Sequence, residues 1–174
     1  MKTTGTMLAI GLAGALLATA AVAQPKQADK DSQKFIKAAI QGDIAEIDVG
    51  KLAQEKGQSD AVKQFGAMLV KDHTAHKAKA EEVASQLGVT PPAGSGFGEK
   101  ATYAKLKLLS GASFDKSFAK AMVSDHQSDI KDYKKEASKR DAAGQLAKDT
   151  LPVLRKHLEA AEQLTAQNQK QSSR

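Results

Sequence analysis

Four stretches of this chain repeat apolar and small residues at intervals of three and four, each over about 25 residues. That period constrains the fold more than any other feature, because it suits one face of a long amphipathic helix and no strand. The first stripe runs Phe35, Ala39, Gly42, Glu46, Val49, Ala53, with Ile36, Ile40, Ile44 and Ile47 broadening it. The second runs Val62, Phe65, Leu69, His73, His76, Ala80, Val83, Leu87. The third is Ala119, Met122, His126, Ile130, Tyr133, Ala137, and the fourth Leu146, Thr150, Val153, His157, Ala161, Leu164. Alternating β-branched and aromatic runs are absent, while Ala, Lys, Gln and Leu are abundant.

Punctuation divides the stripes. Asp31 or Ser32 can cap a helix running to about Lys56, ended by Gly57; Ser59 can cap a second that runs to about Leu87 and stops at Gly88. Pro91-Pro92 and three glycines make Val89 to Glu99 a loop, followed by a short helix from Lys100 to Leu109. Ser113 caps a long helix from Phe114 to about Arg140, and Asp141 caps the last, Ala142 to about Gln167. Pro152 inside that last helix predicts a kink. The expected fold is all-α: an antiparallel four-helix bundle with a short extra helix in the connection between its second and third long helices.

The segments outside the stripes bear on location. Lys2, the uncharged run Met7 to Ala20, and Ala21-Val22-Ala23 read as a secretory signal peptide cut after Ala23. Gln24 to Lys30 reads as a disordered lead-in, residues 31–167 as the bundle, and 168–174 as a frayed tail. Export places the chain in the periplasm, with outer-membrane association an open alternative. Removing the signal leaves about 150 residues, enough for one domain with a core, and no further stretch approaches a spanning helix. The sequence contains no cysteine, which excludes disulfides, thiolate metal sites and thiol nucleophiles. The net charge of +6 comes from lysines spread along helix surfaces such as Lys131, Lys134, Lys135 and Lys139. That spread reads as a solvated face with weak attraction to anionic envelope surfaces, and no basic-aromatic module suggests nucleic acid.

All four histidines, His73, His76, His126 and His157, fall on core-facing stripes. A buried imidazole needs partners for its ring nitrogens. His73, His126 and His157 lie near the middle of three different helices, and Glu46 near the middle of the remaining one. Central positions in a bundle share one or two layers, because each residue rises only about 1.5 Å. Val70-Lys71-Asp72-His73 echoes Val123-Ser124-Asp125-His126, which makes Asp72 and Asp125 candidates to hold a neighbouring imidazole in place. His76 adds an imidazole one turn from His73, and Asp129 a carboxylate one turn from His126. Glu46, His73, His126 and His157 would suit a mononuclear zinc or iron ion, and copper or nickel equally by ligand type. The alternative is a hydrogen-bonded network that fixes helix register. Di-iron carboxylate chemistry needs paired Glu-x-x-His motifs, and the chain contains none. Nucleophile motifs and phosphate-binding glycine loops are also missing.

Several segments carry a likeness to a known family. They are Gly50-Lys51-Leu52-Ala53, Val62-Lys63-Gln64-Phe65-Gly66, and Met68-Leu69-Val70-Lys71-Asp72-His73. Further along come Phe114-Asp115-Lys116-Ser117-Phe118, Met122-Val123-Ser124-Asp125-His126, and Leu151-Pro152-Val153-Leu154-Arg155-Lys156-His157-Leu158. From about Ser32 to Leu164 the chain resembles the domain of unknown function 4142 family, secreted bacterial proteins often described as outer-membrane proteins. The resemblance implies a ferritin-like bundle and an envelope location, and it implies no activity. It marks Glu46, His73, His126 and His157, while His76 matches a variable position.

Overall fold

The computed structural model describes residues 29–172; the stretch expected to be a signal peptide and most of the expected lead-in lie outside them. Five helices follow in order: α1 (Lys30–Lys56), α2 (Asp60–Gln86), α3 (Phe97–Lys107), α4 (Gly111–Glu136) and α5 (Ala142–Ser172). Four are long and form a ferritin-like bundle; α3 is the short extra helix. Asp29, two or three residues earlier than expected, caps α1 by accepting the Asp31 N–H at 3.3 Å. Ser59 caps α2, accepting the Val62 N–H, as its position in the sequence predicts. Gly88 takes a φ of +65° past the end of α2, a conformation in which a side chain would be strained. Helix α3 begins at Phe97, since the glycines around it tolerate a helical start, and α4 begins at Gly111 rather than after Ser113. Helix α5 continues to Ser172, past the expected end near Gln167.

Helices α1 and α2 form one hairpin and α4 and α5 the other. Within each the helices run antiparallel, joined by short turns. The crossover through α3 returns the chain to its starting end, so α2 and α4 run the same way. Two buried contacts record this. Asp115, in the first turns of α4, accepts the N–H groups of Gln58 and Ser59 at the start of α2, at 2.8 and 2.9 Å. Asp141, before α5, accepts the Ser32 hydroxyl at the start of α1, at 2.6 Å. Shared starting ends put the midpoints of all four helices at one depth.

The stripes are buried nearly as read. Ile36, Ile40, Val62, Phe65, Leu69, Phe114, Phe118 and Met122 are all within the core. Val153 is the exception: it is exposed, and Leu154 is buried instead. The fourth stripe therefore runs Thr150, Leu154, His157, Ala161, Leu164, a regular alternation of four and three. Pro152 sits on the exposed side of α5, and the helix carries on through it. The carbonyl that loses its donor there faces the solvent side. Helices α1 and α2 cross closely at Gly50 and Gly66, where a Cβ on either would lie 2.7 or 2.6 Å from the other's carbonyl oxygen.

Candidate metal centre

His73 from α2, His126 from α4 and His157 from α5 meet in the middle of the bundle. One nitrogen from each lies within 4.8 Å of the others. The ring centroids are 5.3 to 6.0 Å apart. All three rings are buried, with Phe65 edge-on to His157.

Hydrogen-bond partners fix the tautomers. His126 Nδ1–H donates to the Met122 carbonyl at 3.0 Å, one turn back on α4, so Nε2 carries the lone pair. His157 Nε2–H donates to the Asp72 carboxylate at 3.0 Å, so Nδ1 carries the lone pair. His73 Nδ1–H donates to Asp43 at 2.9 Å, and its Nε2 has no partner. The lone-pair nitrogens of His126 and His157 face each other at 3.3 Å. Three acceptors thus point inward with no donor between them. Protonation would supply one, but burial opposes it. Burial and the neighbouring His157 and His73 bring His126 down to about 4. Burial also lowers His157, against the pull of Asp72. Both rings are therefore neutral near pH 7.

This arrangement suits a cation. Each imidazole aims one lone pair inward and anchors its other nitrogen to an oxygen acceptor, which orients a ligand and raises its basicity. Two ligands on a tetrahedral ion with bonds of about 2.0 Å are about 3.3 Å apart, the separation found between His126 and His157. A cleft of about 450 Å³, lined by His73, Asp43, Asp125, Asp129 and Tyr133 among others, opens on the His73 side of the cluster.

The other residues singled out from sequence are distributed around this centre. Glu46 is buried on α1 and faces His126, but at the wrong nitrogen: its Oε1 is 4.0 Å from Nδ1, the atom turned away from the three-ring centre. Glu46 thus stands outside the three-histidine set. His76 also turns elsewhere. Its Nδ1–H donates to both Asp43 oxygens, at 2.9 and 2.8 Å, and the Tyr133 hydroxyl lies 3.5 Å from its Nε2. The echoed aspartates part company: Asp72 holds His157, while Asp125 packs beside Glu46 and helps raise it. Asp129 is half-buried and raised to about 8, chiefly by burial and then by Asp125 and Asp43.

Sequence reasoning missed Asp43, a buried carboxylate that orients two imidazoles. The signal was present. Asp43 follows Ile36 and Ile40 by seven and three and precedes Ile47 by four, on a stripe assigned to isoleucines alone.

Residues 17–164 match the family described as Domain of unknown function (DUF4142). The chain belongs to that family. A crystal structure of a DUF305 fragment from Deinococcus radiodurans superposes with a TM-score of 0.73 at 15% identity, covering 82% of this chain and 99% of that one. At that identity the likeness is one of fold. No curated protein matches the chain.

Proposed function

We propose that this DUF4142 protein is an exported metal-handling protein that binds one divalent transition-metal ion through His73, His126 and His157. The observation that carries the reading is the cluster of three imidazole nitrogens, His73 Nε2 without a partner and His126 Nε2 facing His157 Nδ1 acceptor to acceptor, each ring anchored on its far side by Asp43, Met122 or Asp72. A network built only to fix register would set a donor against each acceptor. Three imidazole nitrogens suit Zn²⁺, and Cu²⁺ or Ni²⁺ by the same donor type; Fe²⁺ is less favoured because no carboxylate joins the set. The sequence signal at residues 1–23 supports a periplasmic location. Among the described residues no helix is long and apolar enough to cross a membrane.

A second reading, in which the histidines are purely structural, has one observation in its favour. Asp43, His76 and Tyr133 link α1, α2 and α4 without any ion. The two readings separate on metal content. Tag-free mature protein, loaded with Zn²⁺ at neutral pH and dialysed, should retain about one equivalent, and His157→Ala well under half of that. Retention below about 0.1 equivalent by the wild-type chain would leave the structural reading standing.

A further inference from the structure

A second set of facing acceptors lies on the other side of the His126 ring. Glu46 is 2% exposed, and neither of its carboxylate oxygens has a hydrogen-bond partner. The Asp125 carboxyl lies alongside and, after burial, is the main cause that raises Glu46 well above the usual carboxylate range, as when two carboxyls share one proton that a cation would displace. Both line a cleft of about 350 Å³ that is separate from the three lone pairs. Helix α3 closes it, bringing Glu99 and Thr102 to the same walls, and Ser124 adds a hydroxyl from α4. Every polar side chain named in this cleft offers oxygen. Apart from the Asp125 carboxyl, which can share a proton with it, nothing among the described residues supplies a donor to Glu46.

We infer that Glu46 and Asp125 form a second cation site, distinct from the histidine centre, for a hard divalent ion such as Mg²⁺, Mn²⁺ or Ca²⁺. Two carboxylates with the balance made up by water and hydroxyl oxygens are a usual ligand set for such an ion. Imidazole-preferring metals would sort to the three nitrogens and oxygen-preferring metals to the carboxylates. His126 stands between the two, its Nε2 on the histidine centre and its Nδ1 facing Glu46. The crossover helix α3 thereby gains a role: it covers the carboxylates and leaves them a way to solvent. The inference does not depend on the histidine centre holding a metal.

The test uses Mn²⁺ as the probe, with free ion followed by electron paramagnetic resonance. Full mature chain, freed of other metal, is titrated beside Glu46→Gln, Asp125→Asn and His73→Gln. The wild type should bind about one Mn²⁺ with a Kd below about 1 mM. Glu46→Gln and Asp125→Asn should each weaken it by about tenfold or more, because affinity follows the count of ligand charges. His73→Gln should leave it within about threefold, because that residue is on the histidine centre. Glu46→Gln keeps the side chain's size, and unchanged thermal melting would show that lost binding is not lost folding. No Mn²⁺ binding by the wild type would overturn the inference. So would equal binding by both carboxylate variants. Loss in His73→Gln matching that in Glu46→Gln would also overturn it, since the ion would then sit at the histidines.

Discussion

At the scale of single residues, the deciding property is which nitrogen of each ring carries the proton. Asp43 and the Met122 carbonyl require the Nδ1–H tautomer of His73 and His126, and Asp72 requires Nε2–H for His157. Long-range ¹⁵N–¹H correlation of the metal-free chain near pH 7 should show two Nδ1–H rings and one Nε2–H ring at this centre. A donor tautomer pointing inward would mean a closed network. The same rings make the metal-free fold acid-sensitive. His126 titrates at about 4 in the folded chain and near 6.5 when unfolded, so the unfolded state takes up its proton first as pH falls. Stability is therefore present above about pH 6.5 and lost progressively down to about pH 4, by roughly 3 kcal/mol from this ring. Denaturant melts of wild type and His126→Gln at pH 7 and pH 4.5 should converge at the lower pH. Spacing made the three histidines legible, because helical period fixes which face a residue takes. It could not show that Glu46 approaches the far nitrogen of His126. Ring rotamers depend on partners from other helices; Asp72 was legible as such a partner from its place beside His73, whereas Asp43 stood off the stripes as read and was missed.

At the scale of helices, the centre depends on how closely α1 and α2 cross. Asp43 on α1 reaches His73 and His76 on α2 because Gly50 and Gly66 leave no side chain between the backbones. Gly66→Ala would drive a Cβ to 2.6 Å from the Gly50 carbonyl oxygen. It should destabilise by about 2 kcal/mol through overpacking and weaken Zn²⁺ binding as Asp43 draws back. Gly42→Ala, on the same helix with nothing within 4 Å of its Cβ, should be neutral or stabilising by up to about 1 kcal/mol. Paired chemical melts check both. Equal effects would remove the crossing from the account. The long helices and their order were legible because four strong stripes and their caps agree. Val153 was misassigned because either Val153 or Leu154 continues a three-four pattern from Thr150, and only packing against neighbouring helices chooses between them.

At the scale of the whole molecule, the chain carries a net charge of +6, yet the cleft beside His73 is lined by Asp43, Asp125, Asp129 and Asp132 among others. Fixed negative charge at the mouth of a low-dielectric site attracts cations on entry. Asp132→Asn should slow Zn²⁺ uptake, read by stopped-flow competition with a chromophoric chelator, while changing equilibrium affinity little. Slowing should shrink with added salt. A bound ion should also stabilise the bundle, by about 2.7 kcal/mol at a free concentration one hundred times Kd. The central claim is that three imidazoles from α2, α4 and α5 hold one metal ion. X-ray absorption at the zinc edge of the loaded, tag-free mature chain tests it most directly. Zinc–nitrogen distances of about 2.0–2.1 Å with scattering from about three imidazoles are expected. A shell of oxygen ligands without imidazole scattering, or failure to retain zinc at all, would contradict it.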